Sequence, residues 1–302
     1  MRIVSLLPSA TEIVCALDLG ESLVGVSHDC DYPPEVRTRR VLSDAIVSNA
    51  MGSADIDAAI RRQVHRGKSV YHLDAQLLAG LEPDLILTQE LCQVCAPSFS
   101  EVRGATKVLE GRTKIVSLDP HSLEDILETI LVVGGLTGAA RAAADLVARL
   151  RGRIEEVRRR PPPRPRPRVL CLEWLDPLFV AGHWVPEMVQ IAGGWDGLGT
   201  PGGASTVIEW DQVVAYAPEV IVVAPCGFDL ARARAEGSLL AGRPGWDDLP
   251  AVRTGRVFLA DGSAYFSRPG PRIVRGLEIL ADLFRAPAGP LDVEGTQRLE
   301  PP

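Results

Sequence analysis

The sequence predicts an α/β fold of two Rossmann-like lobes, each on a parallel sheet, joined by one long α-helix with a ligand cleft between the lobes. Three observations predict it. Short apolar runs alternate with amphipathic segments and turn residues through the first third of the chain, the pattern of parallel strands with crossover helices. The last third repeats that plan, with an internal echo between "LLAGLEPDLILTQ" (residues 77–89) and "QVVAYAPEVIVVAP" (residues 212–225): helix end, proline, acid, apolar strand. Between them, residues 122–160 are free of proline and rich in Ala, Leu, Arg and Glu.

In order along the chain, "RIVSLLP" (residues 2–8), "LVGVS" (23–27), "DLILTQ" (84–89) and "KIVSLDP" (114–120) read as strands. After the first, "SATEIVCALDLG" reads as a helix with Ser9 as N-cap, Glu12 three residues on, Ile13, Ala16 and Leu17 on one face, and Gly20 as terminator. The central segment would hold about 35 helical residues and reach about 50 Å, even if Gly134 and Gly135 kink it. Such a connection permits tilting and resists wide hinge closure. The run "RRRPPPRPRPR" (158–168) has the composition of a solvated spacer. Strands resume at "RVLCLEWL" (168–175), "VIVVAP" (220–225) and "RVFLAD" (256–261), with a helix over "PEMVQIAGG" after the first. The expected divisions are a first lobe at 1–120, a linking helix at 121–160, a Pro/Arg-rich linker at 161–167, a second lobe at 168–285 and a disordered tail at 286–302.

Composition bounds the function. The 302 residues are 46% hydrophobic, with a formal net charge of -7 and a pI near 5.4. That balance disfavours nucleic acid or an anionic membrane as partner, since no long basic face is offered to phosphates. After Met1 and Arg2 the chain runs straight into "IVSLLPSATEIV", which is not a secretory leader, and no apolar segment is long enough to span a bilayer. As it stands the sequence reads as cytoplasmic, or as periplasmic if a leader has been removed, and as a monomer. Six cysteines in a reducing compartment are expected to be free, buried or metal-bound rather than paired.

In open parallel sheets ligands bind beyond the carboxyl ends of the strands. The candidates there are Ser9, Asp31, Tyr32, Gln89 and Glu90 in the first lobe, and Glu173, Trp174, His183, Trp184, Tyr265, Phe266 and Arg268 in the second. This mixture of aromatic faces and polar edge groups suits a flat macrocycle. His28 and Cys30 follow one strand, and Cys92 and Cys95 form a C-x-x-C pair after another. The four make a Cys3His set, which fits zinc, while thiolates also suit an iron-sulfur cluster. Thiols lining a pocket for a metal chelate, and plain buried cysteines, are equally open readings. No G-x-S-x-G elbow, no P-loop and no G-x-G-x-x-G after the first strand is present, so the mechanical parts of hydrolases, nucleotide-binding enzymes and dehydrogenases are lacking. The expectation is therefore no enzyme and no required cofactor.

The stretches "RIVSLLPSATEIVCALDLGESLVGVSHDCDYPPEV", "LEPDLIL" and "FSRPGPRIVRGLEIL" (266–280) resemble the helical-backbone, class III substrate-binding proteins of ABC importers. The likeness covers roughly residues 2–284 and is nearest to the vitamin B12 binders. Residues 48–74 stand as an insertion against that pattern. The resemblance implies a periplasmic-binding-protein-like fold that holds a corrinoid such as cobalamin without chemistry, for transport, and hands it to an importer permease. Haem or an iron-siderophore is the alternative ligand, and a cytoplasmic metal-dependent or metal-binding protein using the Cys/His cluster is the alternative class.

Overall fold

The computed structural model describes residues 1–48, 51–66, 69–89, 113–286 and 293–299. Its strands are β1 (Ile3–Ser5), β2 (Leu23–Val26), β3 (Arg40–Val41), β4 (Ser43–Ala45), β5 (Tyr71–Leu73), β6 (Leu85–Thr88), β7 (Lys114–Ser117), β8 (Arg168–Leu175), β9 (Leu178–Val180), β10 (Trp195–Asp196), β11 (Thr206–Val207), β12 (Val220–Val223), β13 (Val257–Ala260) and β14 (Thr296–Arg298). The helices are α1 (Pro8–Ala16), α2 (Ser53–His65), α3 (Ala75–Gly80), α4 (Leu123–Thr137), α5 (Ala140–Arg159), α6 (Val185–Ala192), α7 (Trp210–Tyr216), α8 (Leu230–Ala241), α9 (Pro250–Arg253), α10 (Gly262–Tyr265) and α11 (Ile273–Leu283). They fall into two compact units: residues 1–51, 55–120 and 124–148, and residues 52–54, 121–123 and 149–302.

The first unit carries a five-stranded sheet in the order β3-β2-β1-β6-β7, parallel throughout. Strands covered on both faces need continuous apolar runs, which is why β1 and β6 are buried along their whole length. Val4, Leu6, Leu42, Leu78 and Ile86 form the core on one side. Ser9 is not the N-cap of α1: Leu7 caps it in extended conformation and Pro8 takes the first helical position, where its fixed φ and missing N–H cost nothing. The helix also stops before Gly20, at Leu17, with Asp18 taking the left-handed turn at φ 61.

The second unit carries a seven-stranded sheet, β11-β9-β8-β12-β13-β14, with β10 also pairing to β8. Its centre, β8-β12-β13, is parallel, whereas β9, β11 and β14 join antiparallel, so the sheet is mixed rather than wholly parallel. The tail expected to be without order contributes β14, which pairs with β13 and is anchored by Leu299 N–H to the Val257 carbonyl at 2.9 Å. Leu170, Leu172, Val213, Ile221, Val223, Trp246 and Leu259 fill one face of the sheet.

The segment at 122–160 is helical, but as two helices and not one. The break falls at Gly138, not at Gly134 or Gly135. Gly138 has φ 76, and Ala139 N–H returns to the Gly134 carbonyl at 2.8 Å, the closure of a Schellman motif. A residue with a Cβ resists that left-handed turn; glycine adopts it freely. At 20 residues, α5 is about 30 Å long. Among the described residues no helix is long and apolar enough to cross a membrane.

Candidate functional site

The carboxyl edge of the second unit's sheet gathers three loops. Cys226 N–H donates to the Glu173 carbonyl at 3.0 Å, joining the loop after β12 to the end of β8. Ser263 N–H donates to the Phe228 carbonyl at 3.0 Å, joining the loops after β12 and β13. Asp229 caps α8 through Arg232 N–H at 2.8 Å, and Asp261 caps α10 through Ala264 N–H at 2.7 Å. Gly262 is required here, because a Cβ would run into the Pro225 carbonyl oxygen.

Glu173 lies at the heart of this edge. It lines a small recess, large enough for about one water, with Cys171, Ala181, Val185, Phe266 and Ser267. Burial pushes its carboxyl above the ordinary carboxylate range, opposed by hydrogen bonding from the Ser205 hydroxyl and the Gly182 amide. The Trp174 and Phe228 rings meet at 5.1 Å with their planes tilted by 56°, and the Arg232 guanidinium lies over the Phe228 ring at 4.2 Å. The Trp174 indole N–H is shared between the Ser53 and Asp176 carbonyls, each at 3.2 Å. Glu236 accepts the Ser53 N–H and pairs with Arg232 at 3.1 Å, so this corner is an aromatic and ionic cluster.

His183 holds a left-handed backbone at φ 53, fixed by its N–H to the Gly203 carbonyl and its carbonyl to the Gly202 N–H. It is half-buried, and burial followed by the nearby His121 lowers its basicity. Trp184 and Phe266 are buried, and the Trp184 indole N–H donates to the Phe266 carbonyl at 2.8 Å. These two build the floor under the loops. Tyr265 donates its hydroxyl to Glu294 at 3.0 Å, and Arg268 is half-buried beside it in sequence.

At the first unit's carboxyl edge, Ser9 and Gln89 are buried, Asp31 is half-buried and Tyr32 is 43% exposed. Glu90, Cys92 and Cys95 lie outside the described residues. The other two members of the expected Cys/His set have separate partners. Cys30 is buried with its thiol 3.0 Å from the Thr11 hydroxyl and 3.2 Å from that of Ser27. His28 instead meets the Ser43 hydroxyl at 3.0 Å and the Tyr71 ring at 5.6 Å. Among the described residues no three His, Cys, Asp or Glu are grouped to hold a metal ion.

The sequence reading missed His121, Ser205 and Gly182. His121 had a signal, since "DPHS" follows β7 as the other candidates follow their strands. Ser205 sits in a glycine-rich stretch and reaches Glu173 only because β11 pairs with β9 and β9 with β8.

A family model for periplasmic binding proteins matches residues 3–264. An uncharacterized ABC transporter substrate-binding lipoprotein of Bacillus subtilis is 26% identical over 93% of this chain and 79% of its own length. A cobalamin-binding protein of Halobacterium salinarum is 25% identical over 94% and 69%. The solved structure of a periplasmic haem-binding protein from Roseiflexus superposes with a TM-score of 0.69 at 26% identity, covering 94% of this chain and 97% of that one.

Proposed function

This chain belongs to the periplasmic binding protein family, and from that premise we propose that its cargo is a corrinoid, carried outside the cytoplasm to the permease of an ABC importer. It is a non-catalytic solute-binding protein. The observation that carries the corrinoid reading is Glu173, a largely buried carboxyl on the face where such sheets take ligands. Corrin side chains are neutral amides, able to hydrogen-bond an acid in either protonation state. Haem presents carboxylates, which an ionised Glu173 repels and which ask for convergent cations. The cobalamin-binding relative from Halobacterium supports the same choice. On the second unit Trp174 and Tyr265 would offer ring surface, with His183 and Arg268 as edge groups and the buried Trp184 and Phe266 behind them; on the first unit, taken by itself, Tyr32 would offer a ring and Asp31 an edge group, with Ser9 and Gln89 buried at the same carboxyl edge.

The second reading is haem, favoured by the fold shared with the Roseiflexus protein and by an imidazole at His183. Calorimetric titration with cyanocobalamin, cobinamide and haemin separates the two. Corrinoid binding at micromolar concentration is expected; no heat from either corrinoid at tens of micromolar refutes the ligand class.

A further inference from the structure

We propose that His121 and His183 together bind a first-row divalent transition metal ion. Their ring centroids are 6.1 Å apart and their planes tilt by 35°. A metal-imidazole bond is about 2.0 to 2.1 Å, so each ring centre stands about 3.2 Å from a bound ion. Two rings on one ion are then separated by about 5 Å at a tetrahedral angle and about 6.3 Å when opposite. The observed spacing lies within that span.

The backbone is fixed at His183 and close to His121. His183 keeps its left-handed conformation between the Gly203 carbonyl at 2.6 Å and the Gly202 N–H at 2.8 Å. A non-glycine residue there stores strain, which is retained where a side chain must be aimed. The segment bearing His121 is tied to the first turn of α6 by Leu123 N–H donating to Glu187 at 3.0 Å. Imidazole pairs suit nickel, copper and zinc. Water or an incoming donor would fill the remaining coordination positions.

The inference is independent of the corrinoid reading, and the metal alone is the probe. Tag-free protein is titrated with Ni2+ by calorimetry and by tryptophan emission, since Trp184 lies 5.6 Å from the His183 ring and a paramagnetic ion there quenches it. A dissociation constant below about 0.1 mM is expected, with quenching reversed by a chelator. His121→Ala and His183→Asn should each weaken binding about tenfold or more, asparagine being chosen because it tolerates the left-handed backbone. His72→Ala, an exposed histidine in the other unit, should leave it unchanged. Weaker wild-type binding, or a loss in fewer than both of the paired variants, overturns the proposal.

Discussion

Replacing Gly262 by alanine should disturb the carboxyl edge of the second unit's sheet directly. The new Cβ would press on the Pro225 carbonyl oxygen and stand 2.8 Å from the Ala224 carbonyl carbon and oxygen. Ordinary contact begins at 3.4 Å, so the backbone after β12 must retreat by about 0.6 Å from Ala224 alone, and further from Pro225. That movement strains the Ser263–Phe228 and Cys226–Glu173 backbone bonds that join the three loops. Overpacking of this kind costs about 1 to 3 kcal/mol. At about 2 to 4 °C per kcal/mol for a unit of this size, Tm should fall by roughly 2 to 12 °C. Affinity for the cargo should fall about tenfold or more as the loops separate. Gly152→Ala is the control: nothing lies within 4 Å of its Cβ, and on α5 alanine is worth up to about 1 kcal/mol in stability. Calorimetric unfolding and ligand titration of both variants test this. Wild-type Tm and affinity in Gly262→Ala would refute the described meeting of the loops.

Glu173→Gln should stabilise the protein increasingly as pH rises. Burial raises the folded carboxyl above its unfolded value, so the favourable protonated form is fully present below about pH 4.3 and is lost as pH rises through the folded pKa. Urea unfolding should show the variant level with or below wild type in acid and above it in mild alkali; a difference independent of pH contradicts the burial argument. Arg153 on α5 holds Glu278 on α11 with two hydrogen bonds, at 2.7 and 2.9 Å, and Arg275 adds a third at 3.2 Å. A double-mutant cycle on Arg153 and Glu278 should give a coupling of about 1 kcal/mol, reduced from the buried value because both side chains reach solvent. A coupling indistinguishable from zero would show the bidentate geometry to be unoccupied in solution.

The strands were legible because a parallel sheet covered on both faces demands unbroken apolar runs. "RVLCLEWL" coincides with β8 from end to end. The helix break was displaced for a local reason: Gly134 and Gly135 lie inside α4, whereas the chain turns at Gly138, where a left-handed residue is required. Ser9 had the chemistry of a cap, but Pro8 before it claimed the first helical position. β14 could not be read from "TQR", three polar residues whose strand character comes from pairing to β13 and from Arg298 lying over the Phe258 ring at 4.9 Å. Glu173 and Trp174 were found because they end a strand. His121 carried the same signal, in the loop after β7, whereas Ser205 did not, since only the pairing of β11 with β9 and of β9 with β8 brings it to Glu173. Cys30, chosen as a ligand, is satisfied by Thr11 and Ser27 in the interior, a partnership no spacing announces.

The central claim is that a corrinoid rests on the loops after β8, β12 and β13. Amide hydrogen exchange with and without saturating cyanocobalamin tests it most directly. Protection should appear at residues 173–185, 226–229 and 262–268, with none along the exposed face of α5. Protection confined to other segments, or none under conditions where haemin protects those same loops, would contradict the account.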